Sequence, residues 1–91
     1  MSASKPTERE TQPKATGKVS PERIEATRQA QGLTSREAEV LALAVIGDAN
    51  KEIAAKLALS PRTVEVHVAA VVRKCGMQSR LRLIAWYWSG P

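Results

Sequence analysis

Ser60-Pro-Arg-Thr-Val-Glu-Val-His-Val-Ala-Ala-Val-Val-Arg-Lys-Cys75, followed by Gly76, reads as one helix with a start, a stop and two chemically different faces. The Ser60 hydroxyl can accept from the unpaired amides of the first turn. Pro61 falls at the first helical position, where its missing N–H costs nothing. Gly76 follows the last periodic residue and suits a left-handed C-cap. Val64, Val68, Val71, Val72 and Cys75 recur at the spacing of one helical face. Arg62, Glu65, Val66, Ala69 and Arg73 fall on the other. That outer face has arginines at its ends, small or apolar residues in its middle and one acid, so it can lie against another molecule. The competing account is an ordinary amphipathic helix with a tolerant surface.

Outward from this helix, only Ala58 and Leu59 separate Ser60 from a shorter helix, Lys51 to Leu57, with Ile53, Ala54 and Leu57 turned inward and Asp48 or Asn50 as its cap. Two short helices joined by about three residues have helix-turn-helix spacing. Upstream, Thr34-Ser-Arg-Glu37 is a capping box, with Leu33 placed for a hydrophobic staple to Ala38. The helix it opens, Ser35 to about Ile46, buries Val40, Leu41, Ala44 and Val45, and Gly47 ends it. Downstream, Ser79 caps a last helix to about Trp88. One stripe on it is Leu83, Ile84 and Tyr87; a second is Leu81, Ala85 and Trp88, a pattern that serves a core and a partner together. Ser20-Pro21 is a further helix start, and residues 20–31 form a short helix or a linker before Gly32. Residues 1–19 are polar, carry mixed charge and have too little apolar surface to offset the entropy of ordering, so a disordered arm is expected there.

The chain has 91 residues and a formal charge of +5, which bounds it to one small domain and favours polyanionic partners. Its single cysteine, Cys75, excludes an internal disulfide and a cysteine-based metal cluster. No apolar run is long enough to span a membrane, and the N-terminus has no apolar segment of the secretory kind. A soluble cytoplasmic protein is expected. There is no nucleophile–base pair, no carboxylate dyad and no glycine-rich phosphate loop, so neither catalysis, a metal nor a cofactor is expected.

The residues Leu33-Thr-Ser-Arg-Glu-Ala-Glu-Val-Leu41, Gly47, Asn50-Lys-Glu-Ile-Ala54, Leu57, Leu59-Ser60, Thr63-Val64, His67, Lys74, Gly76 and Ser79-Arg80 resemble the LuxR/NarL/GerE-type helix-turn-helix domain of bacterial transcription regulators. The resemblance covers about residues 32–88 without insertion or deletion. It implies an all-α, four-helix domain over residues 32–89. It further implies binding to double-stranded DNA at the nucleoid, with the 60–75 helix in the major groove, the preceding helix across the phosphate backbone and the last helix pairing two protomers through Leu81, Ala85 and Trp88. On that arrangement Lys51, Ser60, Arg62 and Thr63 meet phosphates at helix N-termini. Arg73 and Arg80 reach further phosphates, and His67 lies close to the backbone. Val66 and Ala69 contact thymine methyl groups, and Glu65 accepts from a cytosine amino group.

Three departures from the family pattern stand out. Glu65 occupies a position commonly lysine, and Ala69 one often polar or basic, so the middle of the outer face has no cation. Near phosphates each such charge is worth on the order of a kcal/mol or more at an effective dielectric near about 20. Glu65 then reads a base, or binding is weak and leans on the arm and a partner, or DNA binding is lost. The last case would leave a protein-interaction module of the same fold, bound to another regulator or to RNA polymerase; an architectural DNA binder without sequence choice is a third reading. Cys75 stands where leucine is usual and is expected to act as a small core hydrophobe. No receiver or ligand-binding domain precedes the module here, so control by abundance or by a partner is expected if the chain is whole, and the arm is a linker if it is a fragment. Trp86, Tyr87 and Trp88 are expected to form a core lid or dimer contact.

Overall fold

A computed structural model describes residues 19–89, which hold five helices and, among the described residues, no strand: α1 (Pro21–Gln31), α2 (Ser35–Val45), α3 (Asn50–Leu57), α4 (Pro61–Lys74) and α5 (Arg80–Ser89). The expected arm lies outside the described residues except for Val19, which packs on the core. The fold is all-α, with α2 to α5 as the four expected helices and α1 as a fifth.

Local chemistry sets the boundaries. The Thr34 hydroxyl accepts from the Glu37 amide at 3.1 Å while the Glu37 carboxylate accepts from the Thr34 amide at 2.9 Å, so both halves of the box are made. Ser60 Oγ accepts from the Thr63 amide at 3.1 Å and fixes the start of α4. At the other end, the Met77 amide bonds the Val72 carbonyl and the Gly76 amide bonds the Arg73 carbonyl, both at 3.0 Å. With Gly76 at φ +72°, these bonds form a complete Schellman cap. The cap of α3 differs from expectation. Its N-cap is Ala49, which has no side-chain acceptor, and the Glu52 carboxylate instead accepts from the Ala49 amide at 2.7 Å. Asp48 and Asn50 are occupied elsewhere, by Lys56 and Arg80. The α3–α4 turn passes through Ala58 at φ +58°, the only non-glycine residue with positive φ among the described residues.

Two apolar clusters make the core. Val40, Ala44, Ile53, Ala54, Val64 and Val68 join α2, α3 and α4. Leu33, Leu41, Val45, Val71, Cys75, Leu83 and Tyr87 join α2, α4 and α5. Val72, half-buried, packs against both and makes the core continuous. The inner stripe of α4 is thus spent on packing along its whole length, from Val64 to Cys75. Burial pushes the Cys75 thiol up from its ordinary value, which suits a core hydrophobe and not a reactive thiolate.

The segment before Gly32 is part of this fold. Ser20 caps α1, Pro21 opens it, and Gly32 at φ +71° closes it. Ile24 packs on the second cluster beside Val19. The Arg23 guanidinium lies 3.9 Å over the Tyr87 ring and donates to the Tyr87 backbone carbonyl. That carbonyl belongs to the last turn of α5, where no intrahelical partner exists, so Arg23 both stacks on α5 and caps its end.

Candidate nucleic-acid interface

The packing leaves one face of α4 outside. Arg62, Glu65, Val66, Ala69 and Arg73 are exposed along it, and Val66 is 54% accessible. The exposed Val66 stands between Glu65 and Ala69, with Arg62 and Arg73 toward the two ends of the helix. Thr63 and His67 lie half-buried on the flank of the same helix. Ser60 and Thr63 are tied to each other, since Ser60 Oγ also donates to Thr63 Oγ1 at 3.0 Å.

Charge is arranged more evenly than the residue types alone suggested. The Glu65 carboxylate pairs with the Arg62 guanidinium one turn earlier, at 3.1 Å. Both are exposed, at 82% for the arginine side chain and 55% for the glutamate, so the pair contributes little to stability and opens at small cost. Among the described residues no carboxylate lies within ion-pairing distance of Lys51, at the start of α3, or of Arg73, near the end of α4. On the outer face of α4 itself, Arg62, Glu65 and Arg73 therefore leave a positive excess.

Arg80, expected at a phosphate, has two of its N–H groups engaged inside the protein. Nη1 donates to Asn50 Oδ1, and Nη2 donates to the Asp48 carbonyl at 2.7 Å. Asp48 also accepts from Lys56 at 2.7 Å. Sequence reasoning missed this cluster. Asn50 and Arg80 are each family-like residues, but thirty positions separate them and no periodicity links them.

Lys74 was also without an expected role. Its ammonium donates to Glu37 at 2.8 Å, joining the last turn of α4 to the first turn of α2. Burial alone would raise the Glu37 pKa; the Lys74 ammonium and the Thr34 amide and hydroxyl outweigh it and leave the carboxyl below its ordinary value.

On α5, Leu81 is 77% exposed, Ala85 is exposed, and Trp88 is 37% exposed with its indole N–H donating to the Val45 carbonyl at 2.6 Å. The Tyr87 and Trp88 rings meet edge to face at 5.2 Å, while Trp86 packs on the core. The two expected stripes are therefore distinct surfaces, one inside and one outside. No group of three or more potential metal ligands occurs among the described residues.

A short helix, a tight turn and a second helix that buries one face and presents the other define a helix-turn-helix DNA-binding domain. The chain matches the family described as bacterial regulatory proteins, luxR family, over residues 31–87, and it belongs to that family. Mb0914c of Mycobacterium bovis and Rv0890c of Mycobacterium tuberculosis, both named as HTH-type transcriptional regulators, are each 43% identical over 65 residues, covering 68% of this chain and 7% of theirs. The oxygen regulatory protein NreC of Staphylococcus aureus is 43% identical over 54 residues, covering 59% of this chain and 25% of its own. The chain thus spans a small part of the length of these relatives. No solved structure matches it significantly.

Proposed function

We propose that this domain is a sequence-specific regulator of transcription that places α4 in the major groove of double-stranded DNA. The observation that carries the reading is the exposed Arg62, Glu65, Val66, Ala69 and Arg73 face on a helix whose other face is core. In this reading Lys51, Ser60, Arg62, Thr63, His67 and Arg73 contact phosphates and set the register, which is what phosphate contacts do. Val66 and Ala69 touch thymine methyl groups. Glu65 reads a cytosine amino group once Arg62 swings to the backbone. The Arg62–Glu65 pair supports this use of both residues, because it is exposed and opens at small cost, freeing the guanidinium for a phosphate and the carboxylate for a base.

The exposed Leu81, Ala85 and Trp88 stripe supports a pair of protomers on an inverted repeat, and the DNA-binding reading carries with it a place at the nucleoid. No helix among the described residues is long and apolar enough to cross a membrane. The same stripe favours a second reading, a module that binds another regulator or RNA polymerase through α5.

Selection from a random duplex pool at two salt concentrations tests the choice. An enriched inverted repeat is expected. Lys51, Arg62 and Arg73 from two protomers give a fall of log K with log salt at a slope of roughly −5. Glu65→Lys should change the selected bases. A folded, helical protein that retains no duplex at either salt would refute the reading and favour the interaction module.

A further inference from the structure

We propose that Arg80 is a positioning residue which sets the N-terminus of α3 for phosphate, acting through Asn50 and the Asp48 carbonyl instead of touching DNA itself. The inference rests on the DNA-binding reading and deepens it. It starts from a weakness in α3. The helix has only eight residues, and its N-cap, Ala49, offers no side-chain acceptor. The turn from Ile46 to Ala49 is tied to the end of α2 by the Gly47 and Asp48 amides, which bond the Ala44 and Leu43 carbonyls, and it is held from outside as well. Three acceptors around it are taken by donors from α5. The Val45 carbonyl accepts from Trp88, and the Asp48 carbonyl and Asn50 Oδ1 accept from Arg80. The two donors stand at the two ends of α5 and bracket the turn. Lys56 holds the Asp48 carboxylate from the far side, and Glu52 holds the Ala49 amide.

The guanidinium reaches both Asp48 and Asn50 from one side chain with a pre-organised planar fork, a geometry that the rotatable donors of an ammonium do not fix. The first amides of α3 and the Lys51 side chain beside them take their direction from that grip. Arg80 is half-buried, whereas Arg62 and Arg73 are exposed on the outer face of α4.

The two roles separate experimentally in the full chain. A direct phosphate contact survives Arg80→Lys, because lysine keeps the charge. A positioning role does not, so Arg80→Lys should lose duplex affinity about as much as Arg80→Gln, by about tenfold. Adding Arg80→Lys to Asn50→Ala should cost less than adding it to the wild type, because the Asn50 half of the grip is already gone. In the DNA-free protein, Arg80→Lys should shift the amide resonances of residues 48–52, a response that a contact to DNA alone would not produce. Retained affinity in Arg80→Lys, additive losses in the pair, or unmoved amides would overturn the inference while leaving DNA binding intact. Failure of the wild type to bind any selected duplex would instead remove the DNA-binding reading, and this role with it.

Discussion

Glu37→Gln isolates what the Glu37–Lys74 pair contributes. The Glu37 side chain is 9% exposed and accepts from the Thr34 amide and from Lys74 Nζ. Glutamine keeps a carbonyl for the Thr34 amide but removes the charge facing Lys74. A hydrogen bond to a charged group contributes about 1.5–3 kcal/mol. The Lys74 side chain is 30% exposed and can turn its ammonium to water, which lowers the cost of losing its partner to about 1–2 kcal/mol. Glu37→Ala also orphans the Thr34 amide and should cost about 1 kcal/mol more. In a domain of this size each kcal/mol moves Tm by about 4–8 °C. The folded carboxyl sits below its unfolded value of 4.5, so its stabilisation is complete above that pH and is lost as the pH falls through the folded value. Urea unfolding followed by circular dichroism should show the full difference near neutral pH and a narrowing gap in acid. Glu39→Gln, which breaks the exposed Arg36–Glu39 pair, serves as the control and should cost less than about 0.5 kcal/mol. If Glu37→Gln matches that control, or if its gap to wild type is the same in acid, the ion pair does not hold α4 to α2.

Two further substitutions probe the backbone and the core. Ala58→Gly relieves a left-handed alanine, a conformation that costs about 1–2 kcal/mol, and gives back about 0.5–1 kcal/mol of chain entropy. The domain should gain about 0.5–1 kcal/mol, read as a higher Tm; a lower Tm would contradict the strain argument. The Tyr87 hydroxyl is buried with no hydrogen-bond partner, and burial raises its pKa. Tyr87→Phe removes that unsatisfied group and keeps the ring under Arg23, so a gain of about 1 kcal/mol is expected by urea titration; a loss of that size would mean the hydroxyl is satisfied in solution.

Most of the fold was legible because it rests on short-range rules. Thr34 to Glu37, Ser60 to Thr63 and the Gly76 cap are all written within a few residues, and the valine stripe of α4 repeats often enough to leave one solution. The outer face of α4 followed by subtraction. What could not be read was set by contacts distant in sequence. The bonds of Arg80 to Asn50, thirty residues away, and to the Asp48 carbonyl have no counterpart in any local pattern of the sequence. The cap of α3 was misassigned for a related reason. Asp48 and Asn50 are both good capping residues, but Lys56 of the same helix and the distant Arg80 claim them, and Glu52 caps from inside the helix. Glu65 looked like an isolated acid until the helix turned Arg62 beside it.

The grip of Arg23 on Tyr87 bears on how this domain can be moved between proteins. The family match begins at residue 31, yet the side chain that finishes α5 comes from residue 23. A fusion junction cut at the edge of the family match would discard Val19, Arg23 and Ile24 and leave the Tyr87 ring without its cover. A portable version of this module should begin ahead of Ser20.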